Sequence, residues 1–164
     1  MKAQSGAQRV YVKRGHDPRG DALAFCVLMA VADRSTRVAV VEEGVPAHVV
    51  DDLAALMDVP LDYLTGPLGL SVTAMRRRIN ASKQLPIGLG DRVVELACLI
   101  GRVVVMVQEA GGPIDFDPAR WIVNWLETPI PALGWRRPAE LMITRSGQAM
   151  LEDLLARVRS GAYS

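Results

Sequence analysis

The sequence predicts an all-α fold, and three observations carry that prediction. From Leu89 to Val107 the apolar residues Leu89, Val93, Leu96, Ile100, Val103 and Val107 recur at alternating steps of four and three, the seam of a helix packed along another. Shorter segments at 49–57, 121–126 and 151–158 each gather their apolar residues on one helical face. Helix-start chemistry stands ahead of helical segments at Ser71 and at Asp117-Pro118, where an oxygen can cap the first turn and proline suits its first position. The composition agrees, since 50% apolar and 23% charged residues describe a folded globular chain and not a disordered one.

Residues 1–20 lack apolar periodicity and read as a loose or partly ordered arm. Asp21 is placed to cap a helix running to about Asp33. Its apolar run, Ala22 to Ala32, falls well short of the roughly 20 residues that span a bilayer. Charged Asp17, Arg19 and Asp21 crowd its start and spoil it as a signal peptide, so it reads as a buried helix of a cytoplasmic protein. Arg37 to Glu43, ended by Gly44, fits either a short strand or a helical turn. Val49, Val50, Leu53, Leu56 and Met57 define a helix between Pro46 and Pro60, and a short helix follows from Pro60 to about Gly66.

Asp91 is expected to open the long helix, which belongs at the centre of the core, and Gly111-Gly112-Pro113 to stop it. Asp117-Pro118 launches a helix with Trp121, Ile122, Trp125 and Leu126 inward, ended by Thr128-Pro129. Ser146 is expected to cap the last helix, which turns Leu151, Leu154, Leu155 and Val158 inward and ends at Gly161. The chain divides into an N-terminal extension (1–44), a helix-turn-helix region (45–88) and a helical C-terminal domain (89–164).

The residue inventory argues against catalysis. Of the two histidines, His16 lies in the arm and His48 on the first turn of a helix, and neither makes a persuasive nucleophilic triad. Cys26 and Cys98 sit far apart among apolar residues and read as reduced core thiols. Asp115 and Asp117 lack a His or Cys to complete a metal set, and Gly88-Leu89-Gly90 lacks the strand a nucleotide loop needs. No cofactor and no metal are therefore expected. Aromatic residues at 5% are too few for a single-strand stacking platform, and a net charge of +1 leaves only local clusters to act electrostatically.

One such cluster is the segment Leu70 to Asn80. Ser71 is a good cap, and at about 100° per residue Val72, Met75 and Ile79 fall on one side. Thr73, Arg76, Arg77 and Asn80 fall on the other, a face suited to base edges in a DNA major groove, with Arg78 and Lys83 available for phosphates. A solvated charged face is the alternative reading of the same three arginines.

The segment from Trp125 to Met142, with Pro131-Ala132-Leu133-Gly134 followed by Pro138-Ala139-Glu140-Leu141, and the last helix with Leu154-Leu155-Ala156-Arg157-Val158, resemble the Xre/MbcA/ParS-like antitoxin family over about residues 45–164. Trp135 stands where a smaller residue is expected. The resemblance implies a helix-turn-helix domain, a C-terminal toxin-binding domain, and a homodimer within a toxin–antitoxin hetero-oligomer. The implied partners are operator DNA and a RES-domain toxin, related to ADP-ribosyltransferases, that consumes NAD or transfers ADP-ribose. It further implies that the C-terminal region blocks the toxin's NAD cleft, without catalysis. Trp135, Arg136 and Arg137 in the turn, and Arg157, Arg159, Gly161, Tyr163 and Ser164 in the last helix and tail, are the expected toxin contacts, with Tyr163 as an aromatic anchor. A free-standing helix-turn-helix regulator without a toxin is the alternative.

Overall fold

The computed structural model describes residues 17–161. In chain order the helices are α1 (Pro18–Val31), α2 (Arg34–Glu43), α3 (His48–Met57), α4 (Leu61–Thr65), α5 (Val72–Asn80), α6 (Ile87–Glu109), α7 (Pro118–Glu127) and α8 (Arg145–Arg159). Two 3-10 turns, Pro131–Leu133 and Pro138–Leu141, lie between α7 and α8. The fold is all-α, and the described residues hold no strand, only the isolated bridges Pro46–Gln84 and Ile130–Arg136.

Helix α6 is the axis of the molecule. Its middle, from Val93 through Ile100 to Val104, is buried on nearly every side, as expected for the central helix of the core. Helix α1 lies against it, burying Ala22, Phe25, Cys26 and Met29. The two backbones approach at Gly101, where an added methyl group would run into the carbonyl of Cys26. Close contact of this kind needs glycine. One continuous apolar cluster runs from Ala22 of α1 to Leu155 of α8, so α1 and α2 are built into the same core as the later helices.

Several helix boundaries differ from the sequence expectation. Helix α1 starts at Pro18 behind Asp17, one turn before the cap anticipated at Asp21. Residues 34–43 settle as helix, because the Asp33 carboxylate accepts from the Thr36 amide at 2.7 Å and Gly44 turns out at φ 107°. Helix α6 begins at Ile87, ahead of Asp91. A 2.7 Å backbone bond from Leu85 to Val45 and the packing of Gly90 on Val45 fix that earlier start. Asp91 instead holds Arg145 at 2.9 Å. Thr144, not Ser146, caps α8 by accepting from the Gly147 amide at 3.0 Å.

Candidate functional site

Helices α4 and α5 are joined by a tight turn. Leu61, Leu64 and Thr65 anchor α4 in the core, and Pro67 keeps that helix to five residues. Leu70 bonds back to the Thr65 carbonyl at 3.1 Å, Gly69 sits at φ 70°, and the Ser71 hydroxyl accepts from the Ala74 amide, as its position in sequence predicts. Met75 and Ile79 are buried, while Val72 at the helix start remains 36% exposed. Thr73, Arg76, Arg77 and Asn80 are all exposed, Arg78 is half-buried and Lys83 is exposed. Sequence periodicity missed one contact: Arg76 is held at 3.0 Å by Asp51 of α3. The basic face is thereby partly neutralised from within the fold.

The C-terminal segment builds a second surface. Asp117 caps α7 through the Arg120 amide at 2.9 Å, Ile122 and Leu126 point into the core, and Trp121 stacks on Trp125 with centroids 6.1 Å apart. These tryptophans are only partly buried and border the inward stripe instead of filling it. After Pro129 the chain makes a compact turn, closed by Ile130 N–H to the Arg136 carbonyl and Trp135 N–H to the Ile130 carbonyl, both at 3.1 Å. Gly134 and Trp135 are both left-handed, at φ 64° and 63°. The Trp135 side chain is 72% exposed. A bulky residue in that backbone region costs roughly 1–2 kcal/mol, and burial of its ring does not repay the cost here.

Below Trp135 an ionic chain stiffens the turn. Arg136 and Arg137 both reach Glu140, at 3.3 and 3.4 Å, Arg137 also reaches Glu127 at 3.0 Å, and the Tyr63 hydroxyl of α4 donates to Glu127 at 2.6 Å. Glu140 is held below the usual carboxylate range, chiefly by the Arg137 backbone N–H and then by Arg136. Burial, then the bond to Glu127, raises the Tyr63 hydroxyl above its ordinary value.

Residues 116–161, from just before the α7 cap to the end of α8, match the family model for the antitoxin Xre/MbcA/ParS C-terminal toxin-binding domain. The chain is also 32% identical over 128 residues, 78% of its length and 80% of the other protein, to the Prs ADP-ribosylating antitoxin of Sphingobium sp. (strain YBL2). It belongs to the Xre/MbcA/ParS antitoxin family. The antitoxin Xre of Yersinia enterocolitica serotype O:8 / biotype 1B (strain NCTC 13174 / 8081) is 26% identical over 125 residues, 76% of this chain and 78% of that one.

Within this Xre/MbcA/ParS-family chain the nominated tail residues separate. Arg157 is exposed, Gly161 is exposed at φ 69°, and Arg159 is paired at 2.7 Å with Glu109, at the end of α6. Tyr163 and Ser164 lie outside the described residues. No helix among the described residues is long and apolar enough to cross a membrane.

The family member also carries a partly buried polar cluster that the sequence did not disclose. Arg37 of α2 donates to the Cys98 sulfur at 3.2 Å, and Arg102 of α6 meets Glu152 of α8 at 3.2 Å. Glu95 lies between them, its carboxyl pushed up to about 7 by burial and then by hydrogen bonding to Glu152. Burial raises the Cys98 thiol, against the opposing pull of Arg102 and Arg37. Cys26 and Cys98 are both buried and free, as their apolar surroundings in sequence suggested. The spacing of Glu95 and Cys98, three residues apart on one helix, was the only local hint of the cluster.

Proposed function

We propose that this chain is the antitoxin of a type II toxin–antitoxin pair and neutralises a RES-type toxin by occupying its NAD cleft with the C-terminal region. Membership in an antitoxin family and the match of residues 116–161 to a toxin-binding domain support that reading. The observation that carries it is Trp135: an exposed indole in a left-handed backbone, braced by Arg136, Arg137 and Glu140. Strain retained at an exposed aromatic residue is characteristic of a recognition element, and Trp and Arg dominate interface hot spots. The toxin thus docks on the 130–141 turn while α8 and the residues beyond it enter the cleft, with Arg157 available for acidic groups at its mouth. Inhibition comes from occupancy and requires no chemistry by this chain.

The exposed Thr73, Arg77 and Asn80 support a second role, in which α4 and α5 act as a helix-turn-helix on operator DNA and repress the operon. Homodimers would match the two halves of a palindromic operator.

The test is binding to, and inhibition of, the toxin encoded beside this gene. Trp135→Gly should raise the stability of the free chain by about 1 kcal/mol, because glycine accepts the positive φ, while weakening toxin binding at least tenfold. Deleting residues 160–164 should restore NAD consumption by the toxin. Unchanged affinity in the first variant removes the turn from the interface, and unchanged inhibition in the second removes tail insertion.

A further inference from the structure

We propose that Glu95, Cys98 and Glu152 form a binding site for one divalent transition-metal ion of the zinc type. Each side chain brings one donor atom, and the three donor atoms lie within 4.8 Å of one another. Zinc holds sulfur at about 2.3 Å and carboxylate oxygen at about 2.0–2.2 Å, which sets tetrahedral donor separations of roughly 3.5 Å. Small side-chain rotations close that gap. Glu95 and Cys98 share a face of α6, and Glu152 comes from α8, so the ion would bridge the central helix and the last one.

A second observation points the same way. Gln148 stands one turn before Glu152 on α8, is 2% exposed, and leaves its Oε1 without a hydrogen-bond partner while its amide nitrogen donates to the Met142 carbonyl at 3.1 Å. A buried carbonyl oxygen with no donor leaves room for a water or a cation beside it. Gln148, Glu95 and Glu152 line one cavity of about 310 Å³ together with Arg34, Arg37 and Arg145; Cys98 lies behind its wall, and the cavity gives a fourth ligand, a water, a place to sit.

The neighbouring guanidiniums are compatible with a dication. Cysteine holds such an ion as the thiolate, so the Cys98 thiol proton leaves as the ion enters. Arg37 and Arg102 stand beside two of the ligands. Both then serve as donors to ligand atoms they already contact, Arg37 to the sulfur and Arg102 to Glu152.

Cobalt(II) titration of the full chelator-treated chain tests the site without any toxin. A near-ultraviolet thiolate-to-cobalt charge-transfer band should saturate at one equivalent, with release of the Cys98 thiol proton. The band should persist in Cys26→Ala, vanish in Cys98→Ser, and need at least tenfold more cobalt in Glu152→Gln. Zinc should bleach the band by competition. A folded wild-type chain that shows no band at saturating cobalt, or a band lost in Cys26→Ala and kept in Cys98→Ser, overturns the site.

Discussion

The Tyr63 hydroxyl donates a 2.6 Å hydrogen bond to Glu127, joining the short helix before the basic helix α5 to the end of α7, 64 residues later in the chain. Glu127 passes the connection to Arg137, and Arg137 to Glu140, so α4 and the turn that displays Trp135 share one polar chain. Tyr63→Phe keeps the ring and removes the donor. It should cost about 1 kcal/mol in urea unfolding, the usual net value of such a bond at a half-buried site. Stability equal to wild type would show that the contact carries no energy.

Gly101→Ala tests the crossing of α1 on α6. The added methyl meets the Cys26 carbonyl, a backbone atom that cannot rotate away, so the two helices must separate and lose packing along their length. Destabilisation of about 3 kcal/mol is expected, the upper end for overpacked cores. Gly88→Ala on the same helix meets nothing within 4 Å and should be neutral or stabilise by up to about 1 kcal/mol. Equal effects in the two variants would contradict the close approach.

On operator DNA, Arg76 and Arg77 should behave differently. Arg77→Ala should weaken binding and reduce the salt slope by about one phosphate equivalent, whereas Arg76→Ala should do less because Asp51 already holds that side chain. Asp51→Asn releases Arg76 and should strengthen binding and steepen the slope. Filter binding at several salt concentrations decides, and an unchanged slope in Asp51→Asn would mean that Arg76 never reaches the duplex.

Acid sensitivity should trace in part to Asp33. Hydrogen bonds from Thr36, then Ser35, hold its carboxyl below the usual value in the folded chain. A depressed folded pKa stabilises the fold fully above the unfolded value of about 4, and that contribution disappears as pH falls through the lower folded value. Asp33→Asn keeps a good cap but cannot titrate, so the acid limb of its stability curve should be flatter than wild type between about pH 5 and pH 2. Superimposable limbs would exclude Asp33 as a contributor.

Caps that act within three residues were legible in the chain. Ser71 and Asp117 take the amides that their positions imply, since the partner of a cap is set by helix geometry alone. Where two hydroxyls compete, locality fails: Thr144 and Ser146 both precede α8, and the packing of Gly147 on the Leu141 carbonyl brings the helix start back to Thr144. The exposed side of α5 was equally legible from its period, but its neutralisation by Asp51 was not, because that carboxylate lies 25 residues away. Of the nominated toxin contacts, Trp135 emerges as a displayed side chain and Arg159 as an exposed ion pair with Glu109. Nothing in their immediate neighbours distinguishes the two.

Helical content, the central place of α6 and the polar face of α5 follow from the sequence alone, because apolar period and capping chemistry act over a single turn. Tertiary structure decided what depends on contacts between distant segments. These are the α1–α6 crossing at Gly101, the convergence of Glu95 and Cys98 with Glu152, the capture of Arg76 by Asp51 and the bond from Tyr63 to Glu127. Each joins residues whose separation along the chain says nothing of their distance in space, and only the packing of one helix on another sets that distance.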